Sequence, residues 1–258
     1  MIDIDKAVRE VLRELVQPQC VGPSACEINP FDIPRKLEHS LLTVGLTREE
    51  LLKGCRMARS LSVAAVCVAP YYVADATEAL TGSPVVVCAA VGFPSALIST
   101  EAKIADVRAC VTRGASEIDL AIDVAAVKSG NIPKAEKDFY RAAQAAQGYA
   151  TVKAVFEHSS FTGREKEAVL LMIGRSGVPF IKIQNMTSGH GARCEEIRLV
   201  RDVLGDKIKI KIDGGVKTLE HALELFSSGA SRIGLTATRK IAEEATKNSI
   251  PVKNEKRL

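Results

Sequence analysis

Two lysines stand in stretches where a folding chain leaves little room for charge. Lys182 lies inside the run VPFIKIQ, and Lys211 inside IKIKIDGG. Burying an ammonium without a partner costs several kcal/mol on an order-of-magnitude scale, so each amine needs a use. The use that suits a buried amine is Schiff-base chemistry, in which it attacks a carbonyl and the resulting iminium withdraws electrons from the neighbouring carbon–carbon bond. The two lysines are about thirty residues apart, one helix and one strand in an alternating chain. Adjacent amines lower each other's pKa, so this spacing predicts that Lys211 keeps Lys182 deprotonated near neutral pH.

The elements that must position these amines alternate regularly. After an amphipathic N-terminal helix and a loop rich in Pro, Asn and Gly, together residues 1–35, the strand-like runs begin at KLEHSLL from Lys36. They continue at Val63–Pro70, Pro84–Phe93, Ser116–Asp123, Thr151–Glu157, VPFIKIQ, IKIKID and Ser231–Thr236. Helical periodicity separates them, with Thr47 and Glu50 forming a capping box and Ser99 or Thr100 capping a later helix. Eight strand/helix units predict a (β/α)₈ TIM barrel carrying an extra N-terminal helix. An open doubly wound sheet is the alternative, but the Gly-x-Gly-x-x-Gly that should follow its first strand is absent.

Alternate side chains of a barrel strand face inward. In the seventh strand the isoleucines 208, 210 and 212 must meet the helices, which turns Lys211 toward the mouth where barrel active sites form. The same parity turns Asp119, Lys153 and Lys182 inward. Three amines and one carboxylate suit Schiff-base chemistry or an anionic substrate better than a structural ion pair, which should come nearer to one-to-one. No histidine or carboxylate cluster suggests a metal. His39 and His158 fall at strand ends within reach of the mouth, whereas His221 reads as a surface residue of a helix. Cys67 reads as a small core residue near enough to a strand end to contact substrate. Gly214, Gly215 and Gly234 occur where barrels hold phosphate through loop amides, and Lys217 adds positive charge.

Composition limits the alternatives. The 258 residues are 47% hydrophobic with no linker-like tract, which predicts one domain over 1–258. The net charge of +4 is scattered apart from a basic tail at 246–258, which argues against nucleic-acid binding. Seven cysteines without metal spacing predict reduced thiols in the cytoplasm, and neither a signal peptide nor a membrane span is expected.

From about Leu37 to Ile241 the sequence resembles the deoxyribose-phosphate aldolase family. The resemblance is carried by LEHSLL, VAAVCVAPYYV, the long run from VVVCAAVGFP to AAVKSG, VKAVFE, FIK, KIDGGVKTLEHA and GASRIG. It implies a cofactor-free and metal-free class I aldolase, with a small aldehyde or sugar phosphate as its partner and a homo-oligomeric state open to it. The reaction implied is reversible cleavage of 2-deoxy-D-ribose 5-phosphate to acetaldehyde and D-glyceraldehyde 3-phosphate. It makes Lys182 the Schiff-base lysine, Lys211 the second lysine, Asp119 the acid/base group working through water, Lys153 part of the proton network and Cys67 a neighbour of the substrate. Four departures stand out. Ile183-Gln184-Asn185-Met186-Thr187 replaces a small polar loop, and Thr236 with Ala237 replaces two phosphate-holding serines. Glu38 and Ser40 stand where Asp and Thr are usual, and the sequence ends in Leu258 where the family has a tyrosine. The same chemistry on another, unphosphorylated aldol therefore stays open, as does an idle barrel that only binds a sugar phosphate or a protein partner. If amines alone do the chemistry, chelators should leave turnover unchanged; activity lost to a chelator and restored by zinc would assign the wrong aldolase class.

Overall fold

The computed structural model describes residues 29–186 and 191–247. The N-terminal helix, the tail from 248 onward, Cys20, Cys26, Thr187 and His190 lie outside the described residues. Within them eight parallel strands close in sequence order, each paired with the next and β8 with β1. The strands are β1 Leu37–Leu41, β2 Ala65–Val68, β3 Val86–Val91, β4 Glu117–Ala121, β5 Thr151–Glu157, β6 Phe180–Gln184, β7 Lys209–Asp213 and β8 Arg232–Leu235. The helices that link them are α1 Arg48–Ser60, α2 Val73–Ala79, α3 Thr100–Thr112, α4 Val124–Lys128, α5 Ile132–Gln144, α6 Gly163–Ser176, α7 Cys194–Leu204 and α8 Leu219–Ser227. A last helix, α9 Thr238–Lys247, returns to β1. This is the (β/α)₈ barrel that the alternation predicts.

Local chemistry sets the helix starts. Thr47 accepts from the Glu50 amide while the Glu50 carboxylate accepts from the Thr47 amide, and Thr162 with Glu165 repeats this capping box at α6. Ser99 caps α3. The short α4 was not foreseen; five residues are too few to show helical periodicity, and its one signal is the Asp123 side chain that caps it.

Strand parity sorts the side chains as predicted. Ile118, Leu120, Ile181, Ile183, Ile210 and Ile212 pack outward into the core beneath the helices. Lys103 of α3 is also fully buried there, where its ammonium donates to the Ala121 carbonyl at 3.0 Å and pairs with Asp138 of α5. The Thr100 hydroxyl donates to the other Asp138 oxygen at 2.7 Å. Two helices are thereby tied to the upper end of β4, the strand that carries Asp119. At the opposite, N-terminal end of the barrel the Phe180 ring lies beneath the Arg232 guanidinium at 5.6 Å and the Lys209 ammonium at 5.5 Å. Among the described residues no helix is long and apolar enough to cross a membrane.

His39 faces outward, not toward the mouth. It is buried against α9 with Nδ1 2.9 Å from the Thr238 hydroxyl, and burial holds its pKa down to about 4. The sign follows from linkage: a histidine neutral when folded gives stability that is full above its unfolded pKa of about 6.5 and is lost as pH falls through 4. A shift of that size is worth about 3 kcal/mol. The urea midpoint should therefore fall steeply from pH 6.5 to 4, and the fall should be visibly shallower in His39→Gln.

Candidate active site

The inward faces of β1, β4, β5, β6, β7 and β8 meet in a largely buried layer of charge. Asp119 on β4, Lys153 on β5, Lys182 on β6 and Lys211 on β7 are fully buried. The barrel register sets Asp119 beside Lys153 and Lys182 beside Lys211. Asp119 is the hub. Its Oδ2 accepts from the Lys211 ammonium at 2.7 Å and lies 3.0 Å from Lys182, while its Oδ1 accepts from Lys153 at 3.0 Å. The Cys67 and Cys88 thiols approach the same carboxylate at 3.6 Å and 3.2 Å. Burial alone would favour the neutral acid, but the three ammonium groups outweigh it and hold Asp119 well below the usual carboxylate range.

The layer is balanced, and this corrects the expected excess of amines. Glu38 pairs with Lys211 and lies 3.6 Å from Lys153. Glu117 lies 2.5 Å from Lys153 and accepts from Arg232 at 2.8 Å, and Arg232 also reaches Glu38 at 3.3 Å. Asp213 stands 2.7 Å from Lys182. Four carboxylates, Glu38, Glu117, Asp119 and Asp213, thus face four cations, Lys153, Lys182, Lys211 and Arg232. A carboxylate cluster therefore exists, contrary to expectation. Glu38 and Asp119, with the two thiols, offer ligand atoms within 4.8 Å of one another, yet ammonium groups already satisfy those oxygens.

Lys182 differs from the other two lysines. Its ammonium sits within ion-pair distance of Asp119 and Asp213 but makes no hydrogen bond to either, and it lies 5.4 Å from the centre of the Phe93 ring. Burial would lower its pKa, but Asp119 and Asp213 overrule both burial and Lys211 and hold it above the ordinary lysine value. The expectation that Lys211 keeps Lys182 deprotonated is therefore reversed in the unliganded protein. Lys211 is itself raised well above its ordinary value, because Asp119, Asp213 and Glu38 outweigh the effect of burial.

Above this layer a cavity of about 360 Å³ opens at the C-terminal ends of the strands, with Gln184 and Asp213 in its walls. Of the residues expected to bind substrate, Ser40, Gly214, Gly215, Lys217, Gly234 and Thr236 line it. Glu38 and Cys67 do not: both are buried one layer down, Glu38 in its ion pairs and Cys67 among Cys88 and Ala90. Gly214 needs a second correction, because its amide already donates to the Gly234 carbonyl at 3.3 Å. Gly215, at φ +73°, packs so closely on Gly191 that a Cβ would fall 2.3 Å from the Gly191 Cα.

A barrel with three buried lysines around one aspartate beneath its mouth has counterparts among known proteins. No family model matches the chain. A deoxyribose-phosphate aldolase of Bacillus cereus strain AH187 is 36% identical over 222 residues, covering 84% of this chain and all of that protein. The chain belongs to the deoxyribose-phosphate aldolase family. It is thereby a member of a lyase family acting on small molecules. Among solved structures, a putative deoxyribose-phosphate aldolase from Coccidioides immitis superposes with a TM-score of 0.80 at 25% identity, over 94% of this chain and 97% of that one. The tetrameric deoxyribose phosphate aldolase of Aeropyrum pernix shares the fold, with a TM-score of 0.77 at 19% identity over 85% of this chain and 93% of that one.

Against the family's site, several residues here went unforeseen. Asp213 shares the parity of Lys211, so the strand pattern carried the signal; Arg232 and Glu117 were equally inward by register. Cys88 could be found only through its alternation with the outward Val87 and Ala89. Burial and the Cys67 and Asp119 neighbours push the Cys88 thiol well above its ordinary value, so it stays a proton donor to Asp119. His158 is half-buried at the rim, 3.5 Å from Glu196, and burial lowers its pKa to about 4. His221 is not a free surface residue, since its Nε2 sits 3.0 Å from the Ala192 carbonyl.

The balance of charge yields a stability test. Lys211→Leu leaves Glu38 and Asp119 short of a counter-charge and should cost on the order of 3–5 kcal/mol. Adding Glu38→Leu removes the surplus carboxylate and should recover most of that loss in urea denaturation. A double variant no more stable than Lys211→Leu alone would show that the two groups do not act as a pair.

Proposed function

We propose that this chain is a class I aldolase in which Lys182 forms the Schiff base. The substrate proposed is 2-deoxy-D-ribose 5-phosphate, cleaved reversibly to acetaldehyde and D-glyceraldehyde 3-phosphate. The observation that carries the reading is the Lys182 amine. Of the three buried lysines in the layer, it alone is without a hydrogen bond, and Asp213 beside it opens onto the cavity. Attack on the donor carbonyl gives a carbinolamine and then an iminium, and the iminium accepts the electron pair of the breaking carbon–carbon bond. Asp119 with Lys211 and Lys153 supplies the fixed field in which that charge develops.

The far end of the cavity supports a weaker grip on phosphate than the family pattern implies. Its walls include Leu42, Phe93, Met186, Val216 and Leu235, and Gly214 has no amide to offer. Lys217, exposed, is the cationic side chain in that wall, with the Thr236, Ser40 and Thr43 hydroxyls beside it as neutral donors. Each hydrogen bond lost to a charged group weakens binding by about 1.5–3 kcal/mol, so two such losses amount to roughly a hundredfold or more. An unphosphorylated aldol is therefore the second reading. A homo-oligomer, one domain over the whole chain, a role in carbohydrate catabolism and a cytoplasmic location belong to the same proposal. It is supported by the tetramer of the Aeropyrum relative and by the free thiols of Cys55, Cys67, Cys88, Cys110 and Cys194.

Borohydride with acetaldehyde should add the reduced donor to the peptide containing Lys182, and Lys182→Ala should abolish both labelling and turnover. Comparing kcat/KM for 2-deoxyribose 5-phosphate and 2-deoxyribose, in the wild type and in Lys217→Ala, then separates the two substrates. If phosphate is held, Lys217→Ala raises KM about tenfold for the phosphorylated sugar alone, one ion pair's worth. Equal efficiency toward both sugars in the wild type favours the unphosphorylated reading.

A further inference from the structure

Asp213 ends β7 and projects into the barrel between the charged layer and the cavity. Its Oδ2 is 2.7 Å from the Lys182 ammonium and its Oδ1 is 3.7 Å from Lys211. That Oδ1 is buried and has no hydrogen-bond partner, while the side chain keeps 15% of its surface open and forms part of the cavity wall. The position has been cleared for it. A Cβ on Gly234 would fall 1.6 Å from Asp213 Oδ1, and Gly234 has no positive φ that would otherwise call for glycine. The glycine of β8 is thus the hole into which the carboxylate of β7 fits.

The Lys182 ammonium poses a problem that this carboxylate can answer. Lys182 is held as an ammonium between two carboxylates, so a proton must leave before the nitrogen can attack. Asp119 is badly placed to take it, being fully enclosed with both oxygens engaged by Lys153, Lys211 and the two thiols. Asp213 touches the same nitrogen, has an oxygen free of any hydrogen bond and lines the cavity from which a carbonyl would enter.

We infer that Asp213 is a catalytic residue, the general acid/base that carries Lys182 into and out of the Schiff base. The inference rests on the Schiff-base reading above. As the carbonyl arrives, the Lys182 ammonium transfers one proton to the Asp213 carboxylate. The freed nitrogen lone pair forms the carbon–nitrogen bond, and the carbonyl π pair moves to oxygen. A second nitrogen-bound proton passes to that oxygen and completes the neutral carbinolamine. The Asp213 acid then protonates the carbinolamine hydroxyl, which leaves as water while the nitrogen lone pair forms the iminium. Asp213 returns to a carboxylate. In sum, one ammonium and one aldehyde become one iminium and one water with charge conserved, and iminium hydrolysis runs the same steps backward.

The test measures the rate of borohydride-trappable adduct formation with acetaldehyde, by mass, on the Lys182 peptide. Asp213→Asn and Asp213→Ala should slow trapping by about 10² or more, the usual scale for a general acid/base, and added formate should restore rate to Asp213→Ala. Gly234→Ala should reproduce the defect by displacing the carboxylate, and should add little in the Asp213→Ala background. Circular dichroism and unfolding of each variant establish that the rates belong to folded protein. If one variant does not fold, the remaining ones carry the comparison. Wild-type trapping rates in the folded Asp213 variants would overturn the inference, and so would a slow Asp213→Ala that formate does not rescue; either leaves Asp213 a structural partner of the Lys182 charge. A wild type that gives no adduct overturns the Schiff-base reading itself, and the inference falls with it.

Discussion

One carboxylate holding three ammonium groups away from water is the constraint on which the interior depends. Asp119 cannot neutralise Lys153, Lys182 and Lys211 alone, and an uncompensated charge in a sealed barrel costs several kcal/mol on an order-of-magnitude scale. Glu38, Glu117 and Asp213 supply the remaining negative charge, and Arg232 restores the balance at the lower edge. Such a cluster is poor value as a source of stability, since well-packed apolar side chains would hold a barrel at least as well. Its worth lies in a fixed field around one nitrogen. The Lys103 and Asp138 pair behind β4 belongs to the same logic, because it fastens the strand that carries the hub.

The architecture was largely legible because it is periodic. Isoleucines at 208, 210 and 212 leave Lys211 only one direction to face, and the same alternation turns Lys153, Lys182 and Asp119 inward. Periodicity says nothing about which inward groups meet across the barrel. The family resemblance puts Glu38 among the substrate-binding residues, yet it pairs with Lys211 in the buried layer and lies out of the cavity. The excess of amines was misjudged because the partners of Lys153 lie on β1 and β4 and those of Lys182 on β4 and β7. Loop glycines mislead differently: Gly214 resembles a phosphate clamp in sequence, but only the backbone path reveals that its amide is bound to Gly234.

The departures from the family pattern fall both inside, at Glu38, and around the cavity, at Ser40, Met186 and Thr236, and the two regions belong to different physical regimes. Inside, a change of one charged group unbalances a closed system, so substitutions must come in compensating pairs. At the rim, Met186, Lys217 and Thr236 are exposed and each meets solvent independently. Rim positions can therefore change singly and alter what is accepted without disturbing the charged layer beneath.

The Phe180 ring packs under Arg232 and Lys209 at the lower end of the barrel, and the site above is a vessel that opens at the C-terminal ends of the strands. Lys182 lies just beneath its floor, against the Asp213 of its wall, and the Gly214 turn lies at its lip. Traffic in such a vessel is ordered by depth: a fragment bonded to the floor leaves only after whatever rests above it has gone. In the proposed Schiff-base cleavage the acceptor half departs first and the donor half, still tethered to nitrogen, departs second. In the proposed condensation the donor arrives first, and the same order of depth sets both sequences.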